Sequence, residues 1–169
     1  MLKELVRDVP NFPKKGIIFK DITPLFSNPA SLKEIVDKMS DHYAGQKINV
    51  IVGAEARGFL IGPAVAVSLN AGFVPVRKPG KLPYETASMA YQLEYGTDTL
   101  EIHKDGIKSG DNVLMIDDLL ATGGTMAACC NLVESLGGKI VGCAFIIELT
   151  FLHGRNLLSK HDVFSLIQY

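Results

Sequence analysis

The chain has 169 residues, 47% hydrophobic and 21% charged, which suits one domain built around one sizeable core. A formal net charge of −1 offers no broad phosphate-gripping surface, which excludes nucleic acid as the leading partner. No apolar run reaches the length of about 18 residues needed to cross a membrane, and residues 1–8 carry charges where a signal peptide needs its apolar segment.

The segment FPKKGIIFKD (12–21) reads as a Pro/Gly-bounded loop leading into a short apolar edge strand. A helix is expected over 28–44, with Asn28 as cap, Pro29 in the first turn, and Leu32, Ile35, Val36 and Met39 at helical spacing. Residues 49–52 form a β-branched strand broken by Gly53, and 58–70 a buried helix stopped by Ala71 and Gly72. A strand over 73–76 follows, then a loop over 78–87 rich in proline, glycine and polar residues. Residues 82–93 show one proline, several small or polar residues and no sustained period, so little is expected to bury them. Strands are expected over 99–103 and 113–116, then a helix running through Leu136 and ended by Gly137 and Gly138. The apolar run 140–147 and residues 163–167 complete the strands. Alternating strands and helices with uniformly apolar strands predict an α/β fold with a mainly parallel central sheet flanked by helices. No linker or repeat divides the chain, so residues 1–169 are read as a single domain.

Cys129, Cys130 and Cys143 show no metal-type spacing, and the first two read as packing residues in the last helix. A reduced, cytoplasmic protein away from membranes is expected. His42, His103 and His161 show no partner spacing, and no role is assigned to His153.

The stretch LMIDDLLATGGT (114–125) concentrates the chemistry. Asp117 and Asp118 are expected where the strand stops being buried, at the carboxyl edge of the sheet, the edge at which such folds bind ligands. Ala121, Thr122, Gly123, Gly124 and Thr125 then make the turn into a helix. Glycines let amide groups approach an anion, the helix start adds partial positive charge, and two threonines add hydroxyl donors. Such a turn suits a phosphate. A carboxylate pair can merely cap a turn, but it also suits sugar hydroxyls or a hydrated divalent cation. No Gly-Lys-Ser/Thr ends the turn, so a P-loop is excluded.

The segment VLMIDDLLATGGT resembles the phosphoribosyl pyrophosphate (PRPP) signature of type I phosphoribosyltransferases. With GIIFKDITP (16–24), GAEARGFLIGP (53–63), VRKPGKLP (76–83) and YQLEYGTDTLEIHKD (91–105), nearly the whole chain resembles the adenine phosphoribosyltransferase family. The resemblance implies the type I fold with a small N-terminal hood over about residues 1–27. It implies transfer of phosphoribose from PRPP to adenine, giving AMP and pyrophosphate in purine salvage. Mg2+ would be carried by PRPP rather than by direct protein ligands, and the protein would be a homodimer.

Residue by residue, the resemblance assigns the turn Ala121–Thr125 to the 5′-phosphate, and Asp117 and Asp118 to the ribose hydroxyls. Glu55, Ala56 and Arg57 would hold pyrophosphate, with a cis bond at Glu55–Ala56. Arg77, Lys78 and Lys81 would form a second cationic group, Arg77 reaching toward the neighbouring subunit's site. Backbone groups of Ile18 and Lys20 would read the adenine edge, Phe19 would stack on its ring, and Leu149 would pack on the other side. Glu94 is the candidate acid/base for the adenine proton, with Tyr95 beside it. The lid over 82–93 would close over the reacting centre.

Overall fold

The computed structural model describes residues 2–92 and 96–169. A short helix α1 (Leu2–Leu5) leads into an antiparallel hairpin of β1 (Arg7–Pro10) and β2 (Ile18–Asp21), which pairs Asp8 with Lys20 and Val9 with Phe19. Helix α2 (Thr23–Ser27) follows, with its proline in the first turn. Helix α3 (Pro29–His42) is capped as expected: Asn28 Oδ1 accepts from the amides of Ala30 and Ser31.

Strand β3 (Val50–Ala54) passes through α4 (Gly58–Ser68) to β4 (Gly72–Val76). An antiparallel ribbon of β5 (Thr86–Gln92) and β6 (Thr97–His103) comes next. Strand β7 (Asn112–Leu120) passes through α5 (Gly124–Ser135) to β8 (Lys139–Glu148), and β9 (Val163–Gln168) lies at the edge. The central sheet has the order β4-β3-β7-β8-β9, with every neighbouring pair parallel. Alternate strand residues face opposite layers. Val52, Val113, Met115 and Phe145 pack with α5 and the β5–β6 ribbon. Ile51, Leu114, Ile116 and Ile146 pack with α3 and α4. Strands buried on both sides explain why the sequence shows continuous apolar runs rather than alternation.

The chain leaves β3 toward one edge of the sheet and enters it again at β7 on the other side, so a topological switch point lies between them. That crevice, at the strands' carboxyl ends, is where a ligand is held in an open parallel sheet.

Several expectations need correction. Gly53 does not break β3; the strand continues to Ala54, and the missing side chain leaves room for the Phe73 ring, 2.9 Å from where a Cβ would stand. Strand β7 loses burial at Asp117, which is half-buried, but not at Asp118. It pairs with β8 as far as Leu120 and Glu148, keeping Asp118 only 4% exposed. Residues 86–92 are not loop: Ala87, Met89 and Tyr91 turn inward onto the core while Ser88, Ala90 and Gln92 face outward. Two alanines and a half-polar tyrosine disguise that period of two. His42 has a partner that spacing does not reveal, stacking on Phe164 with ring centroids 3.9 Å apart. Cys129, Cys130 and Cys143 are free and buried, as packing residues should be. Among the described residues no helix is long and apolar enough to cross a membrane.

Candidate active site

The ends of β3 and β7 open a cleft of about 220 Å3, lined by Glu55–Arg57, Asp117, Asp118 and the turn Ala121–Thr125. The Glu55–Ala56 peptide is cis, as expected. Gly58, starting α4, has no room for a side chain: a Cβ would stand 3.0 Å from the Ile116 carbonyl oxygen and 3.3 Å from Asp117 Oδ1. This close approach sets the 55–57 loop directly beside the aspartates.

Arg57 Nε lies 2.8 Å from Asp118 Oδ2, and the Asp118 amide donates to Asp117 Oδ1 at 2.9 Å. Burial pushes the Asp117 carboxyl well above its usual range, and the neighbouring Asp118 charge pushes the same way. Burial also raises Asp118, with the Arg57 guanidinium opposing it. The Arg57 guanidinium thus favours the charged form of Asp118 more directly than that of Asp117.

The turn needs its glycine: Gly123 has φ 86, the left-handed region, and stands at the N-terminus of α5. Among the described residues no side chain caps that terminus, and the turn lines the cleft. Amide donors, the helix dipole and the Thr125 hydroxyl thus share one concave surface. Thr125 Oγ1 also lies 3.4 Å from the Tyr91 hydroxyl, so the β5–β6 ribbon reaches the turn.

The cations are more engaged than the sequence suggests. Arg77 Nε and Nη2 donate to Glu55 at 3.2 and 3.3 Å, and the Lys78 amide donates to the same carboxylate at 3.0 Å. The Lys78 amide, then Arg77, hold the Glu55 carboxyl below its usual range. The Lys78 ammonium is tied to Asp98, while Lys81 is exposed. Arg57 is the member of the cationic set that stands in the cleft beside the aspartates.

At the hood, Phe19 meets Phe12 edge-on with ring centroids 5.1 Å apart, and the Arg57 guanidinium lies 5.2 Å from the Phe19 ring centre. Ile18 is exposed. The Lys20 ammonium bonds Asp8 at 2.7 Å and sits 4.0 Å from the centre of the Tyr169 ring, which docks the hairpin on the end of β9. Leu149, half-buried just beyond β8, donates its amide to the Leu120 carbonyl at 2.9 Å. The structure therefore gathers the turn, the aspartates and the 55–57 loop into one cleft, with Phe19 joined to it through Arg57. Glu94 and Tyr95 lie outside the described residues.

The family model for the phosphoribosyl transferase domain matches residues 21–167. An adenine phosphoribosyltransferase of Trichlorobacter lovleyi is 59% identical over 99% of this chain and 98% of its own. The chain belongs to the adenine phosphoribosyltransferase family. The solved adenine phosphoribosyltransferase of Thermoanaerobacter pseudethanolicus superposes with a TM-score of 0.97 at 52% identity, covering 99% of this chain and 98% of that one. That of Saccharomyces cerevisiae, complexed with an imino-altritol bisphosphate and adenine, superposes with a TM-score of 0.92 at 45% identity, covering 98% and 96%. Within this adenine phosphoribosyltransferase fold, Tyr91, Asp98 and Gly154 touch the site's supports and were not anticipated. The period of two in 87–91 is the one sequence signal that points to Tyr91; the other two depend on distant pairings.

Proposed function

We propose that this chain transfers the 5-phosphoribosyl group of PRPP to adenine, giving AMP and pyrophosphate for purine salvage. The observation that carries the reading is the convergence, at one switch point, of a helix start that no side chain among the described residues caps, the adjacent Asp117 and Asp118, and a guanidinium. These groups match the three parts of PRPP: 5′-phosphate, ribose diol and pyrophosphate. The comparison with the yeast enzyme, which carries adenine, supports the choice of base.

The turn Ala121–Thr125 binds the 5′-phosphate through amides and hydroxyls. Asp117 and Asp118 accept from the ribose hydroxyls; as the bond from C1′ to pyrophosphate lengthens, the ring gains positive character that their charge stabilises. Arg57, with the 55–57 amides, takes the leaving pyrophosphate, and Arg77 and Lys81 add positive charge at the rim. On the other side, β2 pairs with β1 in a two-stranded sheet, leaving its second edge for backbone contacts from Ile18 and Lys20 to the base. Phe19 stacks on the purine, and Leu149 packs opposite. Glu94 accepts the imidazole proton that adenine loses as N9 bonds to C1′.

No group of three His, Cys, Asp or Glu side chains converges among the described residues. Mg2+ would arrive on PRPP oxygens and water, with the Asp117 and Asp118 carboxylates of the cleft beside it. When bound, the ion neutralises charge on the leaving pyrophosphate. We assign the reaction to the cytoplasm, in keeping with three free cysteines. We also assign a homodimer: α4 presents an uncharged face on which Leu60 and Val67 are 54% and 83% exposed. A monomer in sedimentation at assay concentration would contradict the dimer.

The test of the activity is product balance. With PRPP, Mg2+ and adenine, AMP and pyrophosphate should form in equal amounts, and neither should form when adenine is omitted. Pyrophosphate release independent of adenine would overturn the transfer reading.

A further inference from the structure

We propose that Gly154, Arg155 and Glu148 form a buttress that fixes the Ala121–Thr125 turn in its anion-binding shape, which makes them positioning residues for PRPP. The inference rests on the phosphoribosyl reading of that turn. Its starting point is a contact between two stretches of backbone. A Cβ on Gly123 would stand 2.4 Å from the Gly154 carbonyl oxygen, and a Cβ on Gly154 would stand 2.3 Å from the Ala121 carbonyl oxygen. No side-chain rotation can relieve either approach, because both obstacles are main chain. The short 3-10 turn Gly154–Leu158 therefore lies flat against the back of the phosphate turn.

The buttress is itself held from behind. His153 takes a left-handed conformation, φ 54, and redirects the chain into Gly154. Arg155 then forks onto Glu148, with Nε donating to Oε1 at 2.6 Å and Nη2 to Oε2 at 2.7 Å, while Nη1 donates to the Val163 carbonyl at 2.8 Å. Glu148 ends β8, is 4% exposed, and also accepts from the Ser165 hydroxyl at 2.6 Å. The end of β8 and the first half of β9 are thereby locked to Arg155, whose neighbour Gly154 presses on Ala121 and Gly123. A glycine-containing turn is intrinsically free to rearrange, and its amides bind an anion well only when held in place beforehand. Loosening the buttress should weaken phosphate binding and leave adenine binding alone.

The experiment uses Gly154→Ala, which drives a methyl into the Ala121 carbonyl, and Arg155→Lys, which keeps the charge but loses the fork. The expected result is a KM for PRPP raised about tenfold or more and a KM for adenine within about twofold of wild type. Calorimetry with ribose 5-phosphate should show the same weakening. A purely structural role would reduce the active fraction, lowering kcat with both KM values unchanged, and that outcome would overturn the proposal. If Gly154→Ala yields no folded protein, Arg155→Lys decides. Should the wild type transfer nothing to adenine, the functional reading fails on its own, while ribose 5-phosphate binding by the two variants still decides the buttress.

Discussion

Asp118→Asn is expected to lower turnover by roughly 10²- to 10³-fold, the usual cost of removing one oriented electrostatic contact from a reacting centre. Asp118 is 4% exposed inside β7, and Arg57 lies 2.8 Å from it. In water a lost carboxylate would be replaced by solvent; in this cleft little solvent can reach the position. The substitution removes negative charge where the ribose becomes positive, and it frees Arg57 from the partner that aims it. Both PRPP affinity and rate should therefore fall. Protein stability should change little, because the Arg57 side chain is 37% exposed and can be rehydrated. Steady-state kinetics with a melting curve on the same sample checks both halves. Near-normal turnover, or a collapse in melting temperature that accounts for the loss, would contradict the role.

Glu94→Gln should fail differently. A positioned general base contributes about 10²- to 10⁴-fold, and glutamine keeps the shape while losing the basicity. The loss should appear in kcat, with the KM for PRPP preserved, since the proton belongs to the base and not to the sugar. The described residues that precede it reach the site: the Gln92 carbonyl lies 3.7 Å from where a Cβ on Gly124 would stand, and Tyr91 touches Thr125. Residues 91 and 92 thus end β5 beside the phosphate turn. A kcat for Glu94→Gln within a few-fold of wild type would remove it as acid/base.

Much of this was legible in sequence because it is local. A phosphate turn needs glycine at a left-handed position, a helix directly after it and a strand before it, all within residues 113–135. The Asn28 cap and the break at Gly137 are local in the same way. What was hidden depends on residues far apart in the chain. Lys78 looked like a free phosphate ligand, yet it meets Asp98 near the end of the ribbon where Gln92 pairs with Thr97. Arg77 looked free to reach outward, yet it grips Glu55. Gly154 has no local reason to be glycine; the reason is Ala121, brought against it by the pairing of β7 with β8. Strand β5 was missed because its inward set of Ala87, Met89 and Tyr91 is weakly apolar. Its burial comes from the α5 surface beneath it rather than from its own composition.

The base is the most specific part of the account, and a competition assay tests it most directly. Purified protein with PRPP and Mg2+ is offered adenine, hypoxanthine, guanine and xanthine separately, and kcat/KM is compared. A backbone amide facing N1 and a carbonyl facing the 6-amino group suit adenine and mismatch a 6-oxopurine, leaving polar groups unpaired. The account predicts adenine favoured by roughly 10⁴-fold, as expected of a site built around such hydrogen bonds. Comparable turnover of hypoxanthine or guanine would contradict it.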